Sequence, residues 1–206
     1  KTMYNHEEVG KIKWIVIDSV NRLGGWQGSL DKTQFAWLES EIANSTKPVV
    51  LSSHHPLLLM FNDYAPIGRR VCVDEIREML LRYPKVILWL AGHEHRHHVE
   101  WIGSEKAGMG FWQVETASHI DWPQQSRTVE VVRSAEGDIY IGLSIVDHVA
   151  SSDYALSHSP VEIAALSRLL SANVWQRRKE LGATHGFDWY AGAAESRNTV
   201  LQIRNR

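Results

Sequence analysis

The chain alternates short apolar runs with segments of helical period, and the order in which they come points to a fold class. "KIKWIVIDSV" (residues 11–20) is a β-branched apolar run that reads as a buried strand ending near Asp18. A Gly-rich loop, "NRLGGWQGSLD", leads into "DKTQFAWLESEIANS", where Phe35, Leu38 and Ile42 fall at helical spacing before Lys47-Pro48. "PVVLSS" reads as the second strand and runs into His54-His55-Pro56. "CVDEIREMLLRYP" reads as a helix with Ile76, Met79, Leu80 and Tyr83 on one side, Asp74 and Glu75 suiting its positive end, and Pro84 closing it. "KVILWLAGHEH" is the third strand. A β-α-β-α-β order with near-continuous apolar strands predicts a parallel sheet covered by helices.

The pattern then changes period. "GFWQVETAS", "RTVEVVRSAEGD" and "IYIGLSIVDH" are short strands separated by turn residues, with Glu136-Gly137-Asp138 as a hairpin turn. This part predicts an antiparallel meander. In "SPVEIAALSRLLSANVWQRRKELG", Ser159 sits at the N-cap, Pro160 follows, Glu162 completes a capping box and Gly182 marks a stop. One helix over Ser159–Gly182 is expected, with Ile163, Leu166 and Leu170 facing the core. "NTVLQIRNR" predicts a closing edge strand.

With 206 residues and neither a repeat nor a linker, the chain reads as a single domain over 1–206. It is 44% apolar and 22% charged with a net charge of −2, so nothing in its balance favours nucleic acid or a membrane surface. No apolar run reaches the ~20 residues of a membrane span. Cys72 is the sole cysteine, which excludes an internal disulfide and a multi-cysteine zinc site. The chain begins on Lys1 without Met, almost directly on a strand and without a signal peptide, as expected of a processed chain or a piece of something longer.

The chemistry lies at the strand ends. Four of eleven histidines, His93, His95, His97 and His98, fall within six residues after the third strand, and His54 and His55 follow the second. The carboxyl ends of parallel strands form the ligand-binding rim of open α/β sheets. With extended backbone, His93 and His95 would point the same way, their Cα atoms ~6.5–7 Å apart. Imidazoles so placed suit divalent ions, and His54, His93 and His95 are expected to converge. His97 and His98 read as supporting or surface residues. Trp26, Trp112 and Trp122 read as packing residues, with an aromatic wall for a base or headgroup as the alternative.

"VVLSSHHP" and "LAGHEH" resemble the last two motifs of the calcineurin-like metallophosphoesterases, an H-x-P segment and a terminal G-H-x-H. "WIVIDSVNRLGGWQGSLDKTQFAWLESEI" and "GFWQVETASHIDWPQQSRTVEVV" are similar to the segments flanking those motifs, and the combination resembles an actinobacterial subgroup whose members commonly carry a twin-arginine export signal. The resemblance implies the C-terminal half of an α/β/β/α sandwich, a mixed sheet with flanking helices. It implies two metal ions, Fe, Mn or Zn, clamping a small phosphate-ester substrate while a hydroxide attacks in line. It places His54 and His93 on one ion and His95 on the other, with His55, Ser118 and His119 lining the site in supporting roles.

The family's upstream motifs are missing. Neither D-x-H nor G-D-x-x-D occurs, and Asn5-His6-Glu7 reads as a chance likeness to the third motif. The chain is therefore expected to supply the C-terminal metal ligands of a phosphoesterase domain whose N-terminal half lies elsewhere, and to have little activity alone. The alternative is a catalytically incomplete metal- or ligand-binding module. A cupin-like histidine–metal barrel is disfavoured by the two helical patterns before His93.

Overall fold

A computed structural model describes residues 3–64, 70–104, 108–147, 159–172 and 188–205. They fall into two compact units. One runs through His93 and includes Glu100–Val114; the other comprises Glu94–Val99 and Glu115–Asn205.

The first unit is built on strands β1 (Asn5–Val9), β2 (Ile12–Val16), β3 (Val49–Ser52), β4 (Val86–Ala91), β5 (His98–Ser104) and β6 (Met109–Glu115), with helices α1 (Lys32–Ala43) and α2 (Val73–Leu81). They form a six-stranded sheet in the order β1-β2-β3-β4-β6-β5. β2, β3 and β4 are parallel neighbours, Lys13 opposite Val49 and Val49 opposite Val86, so the crossover reading holds. β1 pairs antiparallel with β2, which makes the sheet mixed. Its turn uses Gly10 at φ 57°, a conformation open to glycine at no steric cost.

The chemistry of the chain ends explains these boundaries. The Asp31 carboxylate accepts the Gln34 N–H at 2.7 Å and caps α1. The buried Gln34 amide then clips the end of β2, accepting from Asp18 N–H at 2.8 Å and donating to the Asp18 carbonyl at 2.7 Å. Leu38 and Ile42 of α1 and Ile76, Met79 and Leu80 of α2 join Ile15, Val49, Leu51, Val86 and Trp89 in one buried cluster. The middle strands are apolar almost throughout because helices cover them and strands flank them.

β6 departs from the expected meander. It lies in this first sheet, between β4 and β5. Gln113 and Glu115 are polar residues of this strand, and both are buried. Gln113 accepts from Leu57 N–H at 2.7 Å and donates to Glu100 at 2.6 Å, so partners rather than solvent satisfy it.

The second unit carries an antiparallel sheet of β7 (Ser126–Arg133), β8 (Ile139–Val146) and β9 (Thr199–Ile203), with β9 at one edge. The β7–β8 turn has Gly137 at φ 94°, and Ser134 N–H donates to the Asp138 carbonyl at 2.8 Å. Helix α3 (Pro160–Ser171) opens with the expected Ser159–Glu162 capping box, and the remainder of the reading, to Gly182, lies mostly outside the described residues. The expected inward face is corrected. Ile163 and Leu170 are 57% and 59% exposed, Leu166 is exposed as well, and Ala165 is the buried residue of α3. Period identifies an apolar stripe but carries no information about what covers it. Among the described residues, no helix is long and apolar enough to cross a membrane.

Candidate metal centre

The ends of β3 and β4 are laced together before the histidines begin. Ser53 N–H donates to the Leu90 carbonyl and Gly92 N–H to the His54 carbonyl, each at 3.1 Å. Trp89 Nε1–H donates to Ser53 Oγ at 2.8 Å, and that hydroxyl donates to the His55 carbonyl at 2.6 Å. A buried indole thus braces the corner from which His54 and His55 project. On this scaffold His93 Nδ1 meets His54 Nε2 at 2.9 Å.

That contact bears on metal binding. Two nitrogens bound at ~2.0–2.1 Å to one tetrahedral ion lie about 3.3 Å apart, so a few tenths of an ångström of widening would make the pair bidentate. His54, His55 and His93 each offer a nitrogen within 4.8 Å of the others. The three are not equivalent. The Trp26 carbonyl can only accept, so His55 Nε2 carries the proton it shares with that carbonyl at 2.9 Å. Nδ1 of the same ring accepts from Ser19 Oγ at 2.8 Å. Both nitrogens are engaged in a buried, neutral ring. Burial first, then neighbouring His93 and His54, hold its pKa down to about 4. The residues therefore fit an ion held by His54 and His93, with His55 bracing the loop behind them.

His95, in the second unit, bonds through Nδ1 to Asp121 Oδ2. A carboxylate on one imidazole nitrogen fixes the ring's tautomer and orientation, the usual support for a metal-ligating histidine. No sequence signal marked Asp121. On the expectation that His95 is a metal ligand, Asp121→Asn should lower the affinity for Mn²⁺ or Zn²⁺ about 10- to 100-fold, measured by titration. An unchanged affinity would remove Asp121 from the site. The extended geometry assumed for His93 and His95 is corrected: their φ angles are 71° and 57°, in the left-handed region sparsely used by non-glycine residues. β4 stops at Ala91, so two-residue spacing no longer implies a shared direction.

The other histidines separate by environment. His97 is 1% exposed, bonded to Gln125 Oε1 through Nε2 at 3.1 Å and approached by Arg127 at Nδ1. Burial, then the Arg127 charge, lower its pKa to about 4. Burial followed by Arg96 also lowers His98. His119 is exposed and pairs with Ser126 Oγ at 2.7 Å, while Ser118 Oγ accepts from Ile120 N–H. His6 lies in β1, its Nδ1 3.1 Å from Glu41 and its ring over Trp37. Trp112 packs edge-on against Trp101, and Trp122 lies under the Arg168 guanidinium. Trp26 is not a packing residue: it is 61% exposed and stacks on His93.

No family model matches the chain. It is similar to a 3′,5′-cyclic-nucleotide phosphodiesterase of Nostoc sp. (strain PCC 7120 / SAG 25.82 / UTEX 2576), 31% identical over 104 residues. The matched stretch covers 46% of this chain and 38% of that relative, so the chain spans well under two thirds of the relative's length.

Proposed function

We propose that this chain contributes metal-ligating residues to a phosphoester hydrolase of the metallophosphoesterase kind, acting on a phosphomonoester or phosphodiester through two metal ions. The direct His54–His93 contact at adjoining parallel strand ends carries the reading, and the partial likeness to a phosphodiesterase supports it. In this reading His54 and His93 hold one ion, and His95, oriented by Asp121, is a ligand of the other. Bound ions, drawn from Fe, Mn and Zn, supply Lewis acidity toward phosphoryl oxygens and lower the pKa of water. The chain's own residues fix the ligands. Gly92 and Ser53 hold the His54 corner, and His55 ties that corner to the Trp26 loop.

Two histidines without a carboxylate bind a divalent ion weakly, so further ligands are expected from an upstream segment of the same domain. The test is hydrolysis of bis-p-nitrophenyl phosphate by the full-length protein, before and after chelation and with Mn²⁺ restored. Activity should vanish with chelator and return with metal, and the 206 residues alone should show little. Hydrolysis indifferent to chelation, or none by metal-loaded full-length protein on phosphomonoesters and phosphodiesters, would overturn the proposal. In the latter case, metal binding that persists would favour the catalytically incomplete module.

A further inference from the structure

We propose that Trp26 and Phe61 form a stacking platform for a nucleobase of the substrate, an inference that rests on the phosphoester-hydrolase reading. Trp26 is 61% and Phe61 44% exposed. Their rings meet edge to face, at 84° with centroids 6.2 Å apart. The Trp26 ring lies within 5° of parallel to His93, centroids 5.8 Å apart, so an exposed indole abuts the proposed metal ligand.

Exposed aromatic residues on loops need no explanation by themselves, but these loops are built to hold them. Asn62, buried, donates from Nδ2 to the Gly24 carbonyl at 2.8 Å and the Gln27 carbonyl at 3.0 Å. Its Oδ1 accepts from buried Asn21 at 3.1 Å and from Tyr64 N–H at 3.0 Å. Gly28 N–H donates to the Leu59 carbonyl, and Asn62 N–H to the Gly28 carbonyl, both at 2.9 Å. A Cβ on Gly28 would lie 2.5 Å from Met60 Sδ and 2.7 Å from His55 Cγ, so the two loops close on each other at glycine distance. His55 completes the clamp at the Trp26 carbonyl. A fully bonded set of buried amides and an imidazole rigidifies what it holds, and here it holds a surface pair rather than core.

The shape selects the ligand class. Two aromatic planes at right angles make a rigid corner, which takes a flat ring on one face and its edge on the other. Flexible acyl or glycerol groups gain little from such a corner. Any base can stack on an indole, so the platform favours base-bearing esters without choosing among bases.

The experiment uses the metal-loaded full-length protein and two six-membered cyclic phosphodiesters, 3′,5′-cyclic AMP and the base-free glycerol 1,3-cyclic phosphate. The readout is the ratio of their kcat/KM values, in which any damage to the metal site through His93 cancels. Trp26→Ala should lower this ratio roughly 5- to 150-fold, chiefly through KM for cyclic AMP, with Phe61→Ala lowering it less and Trp26→Phe restoring part. Phosphate-free adenosine provides an independent reading: its saturation-transfer NMR signal should fall in both alanine variants. Hydrolysis of both esters with a ratio within twofold of the parent in both alanine variants overturns the platform and leaves the hydrolase standing. Equal loss on both esters together with a lowered Tm also overturns it, because the rings would then be packing. Adenosine binding that disappears in the variants of a protein hydrolysing neither ester supports the platform, and the hydrolase reading is overturned as well once that protein also fails on phosphomonoesters.

Discussion

His93→Asn in the full-length protein is expected to remove both activity and one metal ion, while leaving the fold intact. Asparagine is among the few residues that tolerate φ near 71°, so the substitution deletes the imidazole with little backbone penalty. Loss of a supporting group behind a metal ligand commonly costs 10- to 100-fold, so loss of the ligand should cost kcat/KM at least about a hundredfold. His54→Ala should match it, since the two nitrogens face one another at 2.9 Å. His55→Gln should not, because both nitrogens of His55 are already bonded to Ser19 and Trp26. Its metal content should hold while its stability falls. Metal per chain, measured by plasma mass spectrometry beside the rates, decides the matter. Full metal content in His93→Asn, or metal loss in His55→Gln, would reverse the assignment.

Acidification is expected to destabilise the protein through His97. Its folded pKa of about 4 lies below the 6.5 of an unfolded histidine, so between those values the unfolded chain binds a proton that the folded chain refuses. The neutral ring's contribution is complete above about pH 6.5 and is lost as the pH falls toward 4. The full step is of the order of 3 kcal/mol, with about 2 kcal/mol of it gone by pH 5. The ring cannot escape by turning outward, since it is 1% exposed and held between Gln125 and Arg127. Urea unfolding at pH 7, 6 and 5 measures the slope, and His97→Gln should flatten it while lowering stability at pH 7. Parallel slopes for parent and variant would show that the proton binds elsewhere.

The parallel β2-β3-β4 sheet and both of its helices were legible because each apolar run and each helical stripe is a local signal. So were the β7–β8 turn at Gly137 and the α3 capping box. β6 leaves the expected meander because its buried Gln113 is satisfied by Leu57 and Glu100, partners that only the fold supplies. The outward face of α3 was hidden for the complementary reason: an apolar stripe does not announce its cover. At the site, the meeting of His54 and His93 followed from strand order. The partners of His55 and the pairing of His95 with Asp121 did not, because they join residues 26 to 36 positions apart through loops without a period. Trp26 misled because tryptophan is usually buried, and its exposure depends on a clamp of buried Asn and His residues with no signature of its own.

The left-handed backbone at His93 and His95 sets stability against chemistry. Each position costs roughly 1 kcal/mol that glycine would avoid. Under a selection that rewards only resistance to heat, both sites should drift toward glycine. Histidine persisting there through such drift would mark continuing selection for what the imidazoles do.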